Sequence, residues 1–127
     1  SDDVPLRRES FVPVFDELGI DIVLMGHDHC YARTKQLKNF EAVENVSVDS
    51  DGAVMNPEGT LYLTTSSASW SKYYDLQEKY EYMAFEAQFY VPTFSHLSVT
   101  EDTFTMKAYR TDTMEVFDSY TIKTTAQ

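Results

Sequence analysis

Ile20-Asp21-Ile22-Val23-Leu24-Met25-Gly26-His27-Asp28-His29 is the stretch whose reading decides the fold of this chain. The apolar run Ile20 to Met25, closed by a glycine, reads as a buried strand. His27 and His29 stand two positions apart at its carboxyl end, so both can point into one crevice. In open α/β architectures that crevice is where ligands bind. Imidazole is the commonest protein ligand for zinc, iron and copper. The pair therefore reads as half of a metal site, since two imidazoles do not complete one.

Working outward, Pro5 to Leu18 reads as a helix. Pro5 suits the first turn, and Asp2 and Asp3 lie where the helix dipole favours acid. Leu6, Phe11, Val14, Phe15 and Leu18 form an apolar face, and Gly19 is a natural carboxyl cap. Pro13 predicts a kink or two short pieces. A helix followed at once by a buried strand is the αβ half of a βαβ unit, whose first strand would precede Ser1. From Tyr31 the pattern is strands and turns. Asn45 to Val48 and Ala53 to Met55 flank Asp49-Ser50-Asp51-Gly52, a hairpin signal and, as a calcium loop, an incomplete one. Thr60 to Thr65 alternates as a half-buried strand, and Ser66 to Ser71 is a loop carrying Trp70. Leu76 to Phe89 is ambiguous between a short helix and an irregular loop. Thr93 to Val99, Thr103 to Arg110 and Glu115 to Lys123 read as an antiparallel meander with Leu97 and Val99 on one apolar face. The whole is an α/β chain, an α+β fragment in which a helix and buried strand lead into a mostly antiparallel sheet.

The 127 residues suffice for one domain with one core. A net charge of -11 disfavours nucleic acid and anionic membrane surfaces, which are bound through clustered Lys and Arg. No stretch is long and apolar enough to form a membrane-spanning helix. The single cysteine, Cys30, excludes an internal disulfide and could ligate metal, although a small semi-buried residue is the simpler reading. His96, on a strand, reads as a hydrogen-bonded structural histidine. Trp70, Tyr73 and Tyr74 could rim a substrate site or cap the core.

Extended to Arg33, the run Met25-Gly26-His27-Asp28-His29-Cys30-Tyr31-Ala32-Arg33 resembles the carboxyl-terminal metal motif of the calcineurin-like metallophosphoesterases. It is most similar to the purple-acid-phosphatase-like branch, whose motif runs Gly-His-x-His-x-Tyr-x-Arg. Phe15 to Asp21, Gly59 to Ser69 with Lys72 to Asp75, and Pro92 agree with that branch as well. The resemblance implies the C-terminal part of a four-layer α-β-β-α fold across residues 1–127, as a single piece. It implies a dinuclear site for phosphoester hydrolysis, with His27 on one metal and His29 on the other, and Fe, Zn or Mn as the ions. Gly26 would let the backbone turn where the strand ends. Tyr31 and Arg33 would pack behind and support the ligands, or Arg33 would reach a substrate phosphate. Asp28 would face solvent or support the ligands.

The departures from the family pattern carry equal weight. Its aspartate, Gly-Asp-x-x-Asp, and Gly-Asn-His or Gly-Asn-Asp motifs are absent, and no Gly-Asp or Gly-Asn pair occurs. The chain therefore reads as the distal part of a phosphoesterase acting on a small phosphoester, inactive alone and holding metal weakly or not at all. Its partner would be the missing N-terminal half, or a second copy through an exposed sheet edge. The resemblance leans toward secretion or the cell envelope. The competing reading is a non-catalytic acidic β-rich binding module with an idle His pair.

Overall fold

A computed structural model describes residues 4–26, 28–70, 72–76 and 80–125, with the backbone alone for 4–7. The chain opens with α1 (Val4–Leu18) and β1 (Ile22–Met25), followed by β2 (Tyr31–Thr34), β3 (Leu37–Lys38), β4 (Glu41–Ala42), β5 (Val54–Met55), β6 (Leu61–Thr64) and β7 (Met83–Ala87). The meander β8 (Thr93–Val99), β9 (Thr103–Arg110) and β10 (Val116–Lys123) closes it. One sheet has the order β1-β6-β2-β7, a second β5-β10-β9-β8, and β3 with β4 forms a two-stranded ribbon. The two larger sheets are mixed: β1 runs parallel to β6 and β5 parallel to β10, while the other pairings are antiparallel. Helix, first sheet and second sheet make three layers among the described residues.

The helix ends as expected. Gly19 adopts φ +66°, the Gly19 N–H donates to the Asp16 carbonyl and the Ile20 N–H to the Phe15 carbonyl, which is a Schellman closure. Pro13 lies inside one continuous helix and does not split it. The expected acidic cap at Asp2 and Asp3 and the Leu6 side chain lie outside the described residues. The helix faces inward with Val12 and Phe15, which pack on Leu37, Tyr62 and Val23, and Phe11, Val14 and Leu18 are left exposed.

The central strand explains the layering. β6 is buried along its whole length, against the half-buried expectation. Tyr62 faces the helix layer, whereas Leu63 faces the second sheet with Tyr31, Met106 and Ala108. A strand covered on both faces loses the polar alternation of a half-buried one. The opposite correction applies to β1. Expected buried, it is the edge of its sheet, paired among the described residues only with β6, and Leu24 is 54% exposed. Leu24 overhangs a cleft of about 250 Å³ whose other wall carries Phe94 and Leu97 of β8, the edge strand of the second sheet. Leu97 and Val99 are correspondingly exposed.

The ambiguous stretch resolves into β7, which pairs with β2; residues 77–79 lie outside the description. The Asp49–Gly52 signal is a turn: Asp49 Oδ1 accepts from the Asp51 and Ala53 N–H groups, and Gly52 takes φ +85°. Its arms are short, because β5 leaves to pair with β10. The β3–β4 turn puts Asn39 and Phe40 at positive φ (53° and 60°). A phenylalanine is costly there; its ring contacts with Tyr62 and Tyr82, and Arg8 4.0 Å above its centroid, hold it in place. Among the described residues no helix is long and apolar enough to cross a membrane.

Candidate functional site

The motif divides into an exposed loop and a buried strand. His27 lies outside the described residues. At Gly26 the φ is not left-handed and a Cβ would meet nothing within 4 Å, so no described feature requires a glycine there. His29 takes a left-handed φ of 51°, a conformation that His tolerates better than most residues. Asp28 is exposed.

The His29 ring is fixed from two sides. Its Nδ1 lies 3.1 Å from the Lys72 carbonyl oxygen, and its centroid 5.2 Å from that of Tyr74. A carbonyl only accepts, so Nδ1 carries the hydrogen and the lone pair belongs to Nε2. That tautomer, fixed by a backbone carbonyl, is the one in which a metal-ligating histidine is commonly held. His29 thus fits one ligand position. Among the described residues, however, no three His, Cys, Asp or Glu side chains converge into a metal-holding group.

Gln88 clasps this region together. Its Nε2 donates to the His29 carbonyl at 2.9 Å and to the Tyr74 carbonyl at 2.5 Å, while its Oε1 accepts from the Tyr90 N–H at 3.1 Å. The residue was not singled out from sequence, where an isolated glutamine carries no pattern. Tyr90 also takes positive φ (56°), and its hydroxyl donates to the Asp75 carboxylate. Trp70, 71% exposed, and Tyr74, 46% exposed, do not cap the core. Cys30 is half-buried, and burial, then the charges of Asp28 and Glu86, push its thiol up. Such surroundings oppose the thiolate that metal ligation requires.

Tyr31 and Arg33 turn away from the loop, into the space between the sheets. The Tyr31 hydroxyl donates to Asp118 Oδ2 at 2.6 Å. Arg33 grips the same carboxylate with both prongs, Nε to Oδ2 at 2.8 Å and a terminal nitrogen to Oδ1 at 3.0 Å, and its guanidinium lies 4.8 Å over the Tyr120 ring. The Arg33 and Asp118 side chains are only 14% and 7% exposed, so the guanidinium is committed to a buried pair. Burial, reinforced by the bond to Asp118, pushes the Tyr31 phenol well above its ordinary range. A register shift between Val116 and Asp118 lets consecutive residues serve one partner: the Phe117 ring meets Tyr31 edge-on at 4.9 Å while Asp118 binds its hydroxyl. His96, expected to be a hydrogen-bonded structural histidine, is exposed on β8 opposite Lys107.

No family model matches the sequence, and no curated protein matches it. Among solved structures, a purple acid phosphatase from yellow lupin (Lupinus luteus) seeds is similar, with a TM-score of 0.65 and 18% identity. The match covers 95% of this chain but 20% of that one, so the chain spans about a fifth of the length of the lupin protein. What the likeness establishes is a fold: one helix and mixed and antiparallel sheets arranged as in part of a purple acid phosphatase.

Proposed function

We infer that this chain is the distal part of a metal-dependent phosphoesterase, in which His27 and His29 each give one imidazole to a pair of Fe, Zn or Mn ions. The observation that carries the reading is the His29 ring, held by the Lys72 carbonyl with Nε2 left as the lone-pair nitrogen. The fold likeness to part of a purple acid phosphatase supports it. The bound ions would supply a hydroxide for attack on the ester and charge for its phosphoryl oxygens. The chain's own part is to orient the imidazoles: β1 delivers the loop, Gln88 fixes its backbone at His29, and the Tyr31–Asp118–Arg33 network anchors β2 behind it. The carboxylate ligands would come from a separate stretch of polypeptide, docked along β1, and the 127 residues alone would be inactive.

Two measurements test this reading. Titration with Zn²⁺ or Mn²⁺ should move or broaden the His29 ring resonances, and His29→Ala should abolish the residual weak binding. The isolated chain should show no p-nitrophenyl phosphate hydrolysis above a chelator control. Unmoved His29 resonances would leave the binding-module reading in its place, and chelator-sensitive hydrolysis would overturn the claim that the chain is inactive alone.

A further inference from the structure

Beside His29 the fold presents four aromatic rings that it does not use for its own core. Trp70 is 71% exposed, Tyr90 52% and Tyr74 46%, and Tyr73 is half-buried between them. None belongs to either core cluster. Trp70 meets Tyr73 at 89° with centroids 6.4 Å apart, and Tyr73 meets Tyr90 at 75° and 6.5 Å. Edge-on pairing of this kind covers at most one face of each outer ring, Trp70 and Tyr90, and both residues are more than half exposed.

The cluster is held in shape. The Tyr73 hydroxyl donates to the Ser69 carbonyl at 3.0 Å, Tyr90 is tied to Asp75, and Gln88 joins the Tyr74 and Tyr90 backbones to that of His29. Rings fixed this way lose little freedom when they receive a ligand. Charge argues in the same direction. At a net charge of -11 the chain offers an anionic ester no long-range attraction, and stacking is a source of affinity that does not depend on charge.

We propose that Trp70, Tyr73, Tyr74 and Tyr90 form a subsite for a flat ring carried by the ligand, so that the chain selects ring-bearing phosphoesters over alkyl ones. The proposal rests on the metal reading of His29 only for the position of the phosphate; the ring subsite stands on the aromatics themselves. The ring could be a simple aryl group or a nucleobase.

Trp70 is the only tryptophan and reports directly on its own site. Its fluorescence is titrated, with chelator present throughout, using phenyl phosphate, adenosine monophosphate and glycerol 2-phosphate. At least one ring-bearing ester should change the emission saturably and bind at least about fivefold more tightly than glycerol 2-phosphate. The tighter of the two assigns the ring as aryl or nucleobase. Tyr73→Ala should weaken that ester by about fivefold or more, whereas Tyr73→Phe, which keeps the ring, should not. Equal response to all three esters, no saturable response to either ring-bearing one, or undiminished selectivity in folded Tyr73→Ala would overturn the proposal. Should Tyr73→Ala not fold, the comparison of esters on the wild-type chain decides. Loss of ring selectivity with the metal-induced shift of His29 intact overturns the subsite alone; the reverse pair of results overturns the metal reading alone.

Discussion

The seam between β2 and β10 and the flank along β1 are made of similar residues, yet one is closed and the other open. At the seam Tyr31, Leu63, Met106 and Ala108 are buried, and the polar groups of Tyr31, Arg33 and Asp118 satisfy one another. On the open side Leu24 and Met25 of β1 are exposed, as are Phe11, Val14 and Leu18 of the helix. The contrast teaches that an apolar side chain signals a demand for burial without saying who meets it. Inside the seam this chain meets it. Along β1 it leaves, among the described residues, an edge strand whose outer row of backbone groups meets no further strand, beside exposed apolar side chains, a combination that invites pairing.

The comparison breaks most easily at its closed side. Asp118→Ala strands the Arg33 charge between the sheets and removes the acceptor of Tyr31, and is expected to cost about 3–5 kcal/mol. Urea denaturation should show this as a large fall in the midpoint; a loss below about 1 kcal/mol would mean that the seam is not what holds the sheets together. A smaller effect is expected from pH. A phenol whose pKa is higher in the folded than in the unfolded chain binds its proton more tightly when folded. The Tyr31 contribution, raised chiefly by burial, is therefore fully present below about pH 10 and declines above it, by at most about 1.4 kcal/mol per pH unit. Tyr31→Phe should flatten that alkaline decline in stability measured between pH 9 and 11 (both about one unit from the ordinary phenol value). The smallest change in stability belongs to the open side. Phe11→Ser with Leu24→Ser should alter stability by no more than about 1 kcal/mol each, because both residues are already about half exposed. Light scattering should nonetheless show less self-association than in the wild type. A wild type that is strictly monomeric at high concentration would remove the flank as an adhesive surface.

How much of this was legible depended on whether the signal was local. The meander was readable to within a residue at each strand, because alternation and polar turns are properties of a few neighbours. The Gly19 closure was equally local. Burial was not. The run Ile22–Met25 looks the same in sequence whether or not a further strand lies beside it, and β6 gained its second cover from α1 and the second sheet together. Phe40 at positive φ follows from rings distant in sequence rather than from turn chemistry. At the site, the motif drew attention to His29 but not to what orients it. Lys72 acts through a carbonyl, which carries no residue-type signature, and Gln88 has no periodic partner. Asp118 was equally hidden, since the bulge beside it breaks the alternation that would have assigned it a face.

One consequence of the seam concerns the chain's birth. The Tyr31 hydroxyl finds its carboxylate 87 residues later, and Gln36 its partner Tyr120 84 residues later. Both acceptors sit in β10, the last strand among the described residues and far downstream of both donors. Until it emerges, Tyr31 and Arg33 have no counterpart, and the half-made sandwich holds aromatic rings and a cation that nothing yet neutralises. Closure by such distant pairs is slow relative to local folding, and nascent chains of this kind are exposed to aggregation and to chaperone capture for the whole interval of translation. β10 thus acts as the latch of this seam, and a ribosome stalled before residue 118 would hold a chain whose seam cannot close.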